Sequence, residues 1–278
     1  MKELLDRLKQ QLGNDDDIVT KIMQIQNKKI GIIYLKSTCD IKNIFLGIIY
    51  PLKNAQEELT LDNILTKIVL IPESEIIQED KMLEYVLKHK TLIIVKGESG
   101  AVAVDCEMIV SRPPSEPPTS ANIYGPREGF TENINTNITL LRKRFPCKTF
   151  VFKTLFIGTE TQTKVALMYL KNVANKSIVR KIENKIKNIK IDGIIDAYYI
   201  ATFLKERPYS LFEQVAVSEK PDIVAGKILE GRVAICVDGS PVFLTLPYLV
   251  FEDFQNSNDY YSNYIYVTLI RIVRLFGV

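Results

Sequence analysis

Two proline pairs within twelve residues set the organisation of this chain. Ser111 to Asn122 reads SRPPSEPPTSAN, and Pro113, Pro114, Pro117 and Pro118 are four of the 12 prolines in 278 residues. Proline fixes φ and has no amide proton to donate, so such a stretch joins neither a helix interior nor a sheet ladder. It reads as a stiff spacer whose flanks must each bury a core of their own. The expected division is an N-terminal α/β subdomain over 1–110, a Pro-rich linker and connecting helix over 111–145, and a C-terminal α/β subdomain over 146–278.

The flanks share one grammar. KIGIIYLK, from Lys29 to Lys36, is a buried-strand pattern, and KVALMYLK, from Lys164 to Lys171, returns 135 residues later with the same Tyr-Leu-Lys ending. In the first half, Leu4, Leu5, Leu8 and Leu12 form a helical stripe ended by Gly13. Asp15 to Asp17 read as the cap of a short helix through Met23, and Ile41–Leu52, Leu61–Leu70 and Ser74 or Gln78 to Lys88 as further helices. Thr91–Val95 and Val102–Ile109 are expected to pair as a hairpin through the turn Gly97-Glu98-Ser99-Gly100.

In the second half, helices are expected over Ser177–Ile189 and Asp192–Lys205, capped by Ser177 and Asp192. Pro221–Leu229 reads as a short helix with proline in its first turn, and Arg232–Val237 with Val242–Leu246 as a hairpin turning at Asp238-Gly239-Ser240-Pro241. The same order occurs twice, through internal duplication or through convergent patterning. The fold class is α/β, two mixed α/β subdomains joined by the Pro-rich linker and a helix. That helix is expected over Gly129–Phe145, where Phe130, Ile134, Ile138, Leu141 and Phe145 recur at helical spacing. Thr131 would cap it, Glu132 suits its positive end, and Arg142, Lys143 and Arg144 suit its negative end. Its place after the spacer suits it to setting the angle between the halves.

Composition removes several function classes. With one histidine, His89, no multi-histidine metal centre is available, and no metal or cofactor is expected. The serines lack a G-x-S-x-G setting, and Cys39, Cys106, Cys147 and Cys236 form no CxxC pair, which fits a reduced compartment. The Gly turns GESG and DGSP lack a following Lys-Ser/Thr and open no helix, so they read as hairpin turns. GPREG, at 125–129, does open a helix: its amides could hold an anion, or Arg127 and Glu128 could pair within the protein. Lys171 to Lys190 carries seven basic residues against Glu183. That run is either the solvated face of a core-packed helix or a docking face for an acidic partner or anionic lipid. No aromatic residue interleaves it, and no nucleic-acid partner is expected. The start lacks a signal-peptide core, and the longest apolar run, Ile44–Leu52, is too short to span a bilayer. The end, YIYVTLIRIVRLFGV, reads as a cut made before a membrane segment.

Ser111 to Arg144 resembles the GerA family, the A subunits of bacterial spore germinant receptors. The resemblance centres on Gly125, Pro126, Arg127, Glu128, Gly129, Phe130 and Glu132, then Thr136-Asn137-Ile138 and Leu141 to Arg144. GNDDDIV, Gly13 to Val19, is similar to an early family motif. Ile191-Asp192 with Ile194-Ile195-Asp196, and Tyr209-Ser210-Leu211-Phe212 with Gln214, follow in the family's order. Ser218-Glu219-Lys220-Pro221-Asp222 is similar to Thr-Glu-Arg-Pro-Asp, with Lys220 where the family has Arg. Glu230 to Ile235, Asp238-Gly239-Ser240-Pro241, Asp259-Tyr260-Tyr261 and the closing Arg271 and Arg274 complete the series.

The resemblance implies the soluble N-terminal part of an A subunit, ahead of a multi-helix membrane domain in the spore inner membrane. It implies B and C subunits and other A subunits as partners, and a nutrient-gated ion channel as the assembly. The reading is a non-enzymatic module for assembly and signal transmission, the fragment itself monomeric. Arg271 and Arg274 favour the cytoplasmic, spore-core side. Gly125 to Phe130, Glu132 and Arg142 are the gating candidates; Pro221, Asp222, Asp238, Gly239, Pro241, Asp259 and Tyr260 are further family-motif candidates. The alternative is a small-ligand domain with its nutrient site in the cleft between the halves.

Overall fold

The computed structural model describes residues 1–13, 15–107, 128–207, 209–210, 213–249, 252 and 264–276. It forms two compact units: Met1–Ser111 with Arg142–Lys153, and Arg112–Leu141 with Thr154–Val278. The Pro-rich stretch, Gly125, Pro126, Arg127, Asp259 and Tyr260 lie outside the described residues.

In the first unit, α1 (Lys2–Gln11) leads into strands β1 (Ile18–Ile25) and β2 (Lys28–Leu35). Helix α2 (Ile41–Ile44) passes through a π-helical turn at Phe45–Ile49 into α3 (Tyr50–Asn54), and α4 (Leu61–Asn63) runs into a second π turn at Ile64–Ile68. β3 (Ser74–Ile77), α5 (Met82–Leu87), β4 (Thr91–Val95) and β5 (Ala101–Val104) complete it. The five strands lie in the order β1-β2-β4-β5-β3, all antiparallel.

Antiparallel sheets usually leave one face to water, with polar residues alternating along each strand. Here β4 and β5 are buried at every position. The alternate residues Ile30, Ile32, Ile93, Val95, Val102 and Val104 pack under α2 to α4 and their π turns. Ile33, Leu35, Leu92, Ile94, Ala101 and Ala103 pack against Leu5, Leu8, Met82 and Val86 of α1 and α5. The period of two sends each strand into two cores, giving a three-layer α/β/α unit.

The second unit contains α6 (Ile134–Arg144) up to Leu141, β6 (Phe150–Ile157) from Thr154, β7 (Thr163–Leu170), α7 (Lys176–Lys187) and α8 (Ala197–Leu204). β8 (Ala216–Ser218), α9 (Pro221–Leu229), β9 (Val233–Val237), β10 (Phe243–Leu246) and α10 (Tyr264–Phe276) follow. Its sheet order, β6-β7-β9-β10-β8, repeats that of the first unit strand for strand. Ile30 faces Val95 as Val165 faces Val237, and Thr91 faces Val104 as Val233 faces Leu246. Lys96 N–H donates to Lys29 C=O as Asp238 N–H donates to Lys164 C=O. KIGIIYLK and KVALMYLK therefore occupy one place in two sheets of one design. Among the described residues, no helix is long and apolar enough to cross a membrane.

Some local expectations give way. The segment after Asp15–Asp17 is strand β1, because Asp15 and Asp17 turn inward instead of capping a helix. Ser74–Ile77 is an edge strand, so the following helical segment begins at Glu79. The connecting helix starts at Ile134, capped by Asn133, whose Oδ1 accepts the amides of Asn135 and Thr136 at 2.9 and 3.3 Å. Asn175 and not Ser177 caps α7, and Asp196 and not Asp192 caps α8. Asp192 C=O is engaged instead by the amides of Glu160 and Thr161 in the β6–β7 turn.

One turn position is fixed by contact. Gly100 has φ +111°, and a Cβ there would lie 2.3 Å from Ile77 C=O, an atom of the neighbouring strand's backbone. Gly100→Ala combines this clash with left-handed strain, so it is expected to cost about 3 kcal/mol or more, read as a lowered urea midpoint at constant slope.

Candidate functional site

In the first unit, one guanidinium serves two buried carboxylates. Asp15, Asp17 and Arg142 are 1, 2 and 3 % exposed. Arg142 pairs with Asp15 through Nη2, its Nε lies 3.3 Å from Asp17 Oδ2, and its Nη1 donates to Phe150 C=O at 3.4 Å. The guanidinium lies over the Phe150 ring at 5.0 Å, and Phe150 stacks on Phe145. Asp17 also closes the open end of the β1–β2 pair. Its Oδ1 accepts Ser37 N–H at 2.7 Å, its Oδ2 accepts Ser37 Oγ–H at 2.6 Å, and its C=O accepts Lys36 N–H at 2.8 Å. Asp15 Oδ1 accepts Asp17 N–H at 3.0 Å and shapes the turn into β1.

Charge is unequal there: two carboxylates face one cation. Burial is the largest influence on Asp15 and outweighs Arg142, so its pKa rises to about 6. His89 belongs to the same unit and is 9 % exposed. Burial drives its pKa down, opposed by Glu107 and reinforced by Arg142 and Lys143, so it is neutral at physiological pH. Its φ of +66° is the left-handed value of a helix C-terminus. His89 N–H donates to Val86 C=O as Gly231 N–H does to Ile228 C=O, so His89 stands in the first unit where Gly231, φ +92°, stands in the second. The histidine is thus a helix terminator by position.

The second unit carries a neutral lock. Asn137 is fully buried and grips the backbone of Thr131. Its Oδ1 accepts Thr131 N–H at 2.8 Å, and its Nδ2 donates to Thr131 C=O at 2.5 Å and reaches Cys236 Sγ at 3.7 Å. Thr131 is thereby a clamped residue, and its hydroxyl accepts Asn133 N–H at 3.2 Å. Phe130 stacks on Phe243 with centroids 3.9 Å apart, and its N–H donates to Glu219 C=O at 2.9 Å. Glu132 C=O accepts Gly239 N–H at 2.8 Å, and Asp238 Oδ1 accepts Ile134 N–H at 3.2 Å. The start of α6 and the β9–β10 turn are therefore bound to each other.

The structure thus brings Phe130, Glu132, Asp238 and Gly239 together within the second unit and puts Arg142 at the lock of the first. Glu128 and Gly129 are half-buried beside Phe130 in sequence. Pro221 is buried at the first turn of α9, with Asp222 beside it, while Pro241 lies half-buried past the β9–β10 turn. Lys220, where the family resemblance has Arg, is 1 % exposed at the N-cap of α9. The carboxylate partners of Arg142 and the role of Asn137 were not assigned from sequence, although GNDDDIV and Thr136-Asn137-Ile138 were the motifs that contain them. Nothing local marks Asp15 as a partner for a residue 127 positions away.

Three of the cysteine thiols offer little chemistry. Burial pushes the thiols of Cys39 and Cys236 up to about 12 and that of Cys106 to about 11, so all three are protonated and inert. An open depression of about 600 Å³ in the second unit is lined by Tyr198, Thr202, Lys205, Glu213, Lys227 and Glu252. Two of its lining charges pair with each other: Lys227 Nζ lies 2.6 Å from Glu252 Oε2, and behind them Arg232 Nη1 lies 3.2 Å from Glu252 Oε1 and 3.2 Å from Glu230 Oε2.

Two antiparallel α/β units of one topology, each closed by an inward-facing polar lock, define a two-unit scaffold module. The chain belongs to the GerA family: the model for "Bacillus/Clostridium GerA spore germination protein" matches residues 6–278. It is 30% identical over 276 residues to Spore germination protein KA of Bacillus subtilis (strain 168), covering 96% of this chain and 50% of that protein. Identity to Spore germination protein B1 of the same organism is 28% over 275 residues, covering 97% of this chain and 57% of that one. With the B. subtilis "Uncharacterized membrane protein YfkQ" it is 37% over 196 residues, 70% of this chain and 38% of that protein. The chain thus spans about half the length of the two full-range relatives. Among solved structures it resembles the N-terminal domain of the A subunit of the Bacillus megaterium spore germinant receptor GerK3. The TM-score is 0.66 at 28% identity, covering 90% of this chain and 95% of that one.

Two measurements test the locks. Asp15 holds its proton more tightly folded than unfolded, so between about pH 4 and pH 6 the folded state binds more protons. Its contribution to stability therefore falls as pH rises through that window and is flat above it, by on the order of 3 kcal/mol. Chemical denaturation of wild type and Asp15→Asn from pH 4 to 7 is expected to show the variant gaining by this amount relative to wild type. Asn137→Ala strands the buried N–H and C=O of Thr131 and is expected to cost about 2–4 kcal/mol, measured by the same method at pH 7.

Proposed function

We propose that this chain is the N-terminal domain of a germinant-receptor A subunit, with a role in receptor assembly and in passing the nutrient signal to a membrane-embedded channel portion. The observation that carries this reading is the similarity to the GerK3 A-subunit N-terminal domain across 95% of that domain. The role is non-enzymatic, a reading supported by the relatives' names as spore germination proteins. The partners are the B and C subunits of the same receptor and further A subunits, in the spore inner membrane with this domain on the spore-core side. Gly125, Pro126, Arg127, Glu128, Gly129, Phe130 and Glu132 act as the signalling segment, supported by the clamping of its last residues onto Glu219 and Gly239. Asp259, Tyr260 and the segment with Arg271 and Arg274 carry the signal onward.

The test is nutrient-triggered germination of spores carrying Arg127→Ala in the full-length protein. The expected outcome is a loss of response of about tenfold or more in rate at an unchanged protein level, as a broken coupling free energy predicts. Normal germination at a normal level removes Arg127 from the signalling role.

A further inference from the structure

The helix layer of the second unit has a surface that its core does not require. Along α7, Val179, Ile182 and Ile186 face inward. Lys176, Arg180, Asn184 and Lys187 recur at spacings that put them on one exposed face. Lys171 and Lys190 are exposed just beyond its two ends. Part of the run is neutralised within the fold: Lys181 and Lys185 lie 2.6 and 3.7 Å from Glu206, and Lys187 lies 2.7 Å from Glu183. Lys171, Lys176, Arg180 and Lys190 make no ion pair among the described residues.

Beside the C-terminal part of this basic run the structure puts an aromatic side chain that lies in a different stretch of sequence. Tyr199 and Phe203, one helical turn apart on α8, are 43 and 44 % exposed. Phe203 shares a shallow depression with Lys181, Asn184, Lys185, Asn188 and Lys190, so its ring borders the basic face.

We propose that this α7–α8 face docks on an anionic lipid bilayer surface. The inference rests on the reading of the longer protein as membrane-borne. Charge complementarity selects an anionic occupant, and the form of the patch selects a lipid surface over an acidic protein segment. The cations spread along the whole helix, and Lys171, Lys176 and Arg180 line neither of the depressions beside it, so they frame no single peptide. Three of the four uncompensated ones are lysines, point charges suited to headgroup phosphates more than to bidentate carboxylate pairing. Phe203, which borders the face, and Tyr199, one turn away on α8, present apolar rings to the headgroup level, where aromatic side chains partition.

Flotation of the purified chain with vesicles tests this. Vesicles of equal parts phosphatidylglycerol and phosphatidylcholine are expected to carry the wild type, with binding falling as salt rises; pure phosphatidylcholine carries far less. The triple variant Lys176→Glu, Arg180→Glu, Lys190→Glu, with α10 intact, is expected to lose at least about tenfold in affinity for the anionic vesicles. Tyr199→Ser with Phe203→Ser is expected to weaken binding at high salt more than at low salt. All five positions are exposed, and circular dichroism checks folding; Lys→Gln and Arg→Gln replacements serve if the reversed charges unfold the chain. Equal binding by the triple variant, no preference for anionic vesicles, or no binding at all overturns the proposal. Capture of soluble polyglutamate in place of anionic vesicles also overturns it and assigns the face to an acidic protein. Because this assay reads the purified chain and not germination, its failure leaves the Arg127→Ala result standing, and the reverse holds too.

Discussion

The first unit depends on how Arg142 divides itself between Asp15 and Asp17. Burying any one of these charges alone would cost several kcal/mol, and pairing offsets that cost only where hydrogen bonds satisfy the remaining lone pairs. Asp17 meets this condition through the N–H and Oγ–H of Ser37 and Asp15 through the Asp17 amide, while Arg142 donates from Nη1 to Phe150 C=O and its Nε faces Asp17 by charge alone. The outcome is more than a neutralised cluster. Asp17 ties the start of β1 to the end of β2, so the edge pair of the sheet is closed by the same carboxylate that faces the guanidinium. The surplus of acid over base remains on Asp15, whose pKa of about 6 marks where the balance is poised.

The second unit reaches a similar end without charge. Asn137 gives the backbone of Thr131 both an acceptor and a donor, which a charged side chain could not do. Asn137 belongs to the second unit and Arg142 to the first, and both anchors lie in the stretch whose motifs carry the family resemblance.

Much of the scaffold was legible because it obeys short-range rules. The strand pattern of KIGIIYLK and KVALMYLK, the proline at the start of α9 and the Gly turns of both hairpins are local signals, and the strands and helices sit where these signals put them. The misreadings share a cause. Asp15 to Asp17 look like a helix cap until Arg142 arrives from the far side of the Pro-rich stretch and draws them inward. Asp192 and Asp196 are equivalent caps locally, and only the β6–β7 turn, claiming Asp192 C=O, decides between them. The π turns at Phe45–Ile49 and Ile64–Ile68 leave no composition signal at all. Phe203 was invisible as a neighbour of the basic face because pattern reading runs along one helix, whereas the depression is assembled from two.

Matching topology also separates what the fold needs from what it does not. Strand order and central register repeat between the units, so these are requirements of the architecture. The helix layers differ in their outer surfaces. Over α2, its π turn and α3, the first unit exposes Ile41, Phe45, Leu46 and Tyr50, while over α7 the second exposes Lys176, Arg180 and Lys187. Both layers bury an aliphatic inner face against an equivalent sheet, so inner packing does not dictate either outer chemistry. A surface that differs where the scaffold is the same answers to something outside the scaffold. The first unit's outer surface is chemically suited to apolar contact; for the second, the sign of the charge already restricts what can approach.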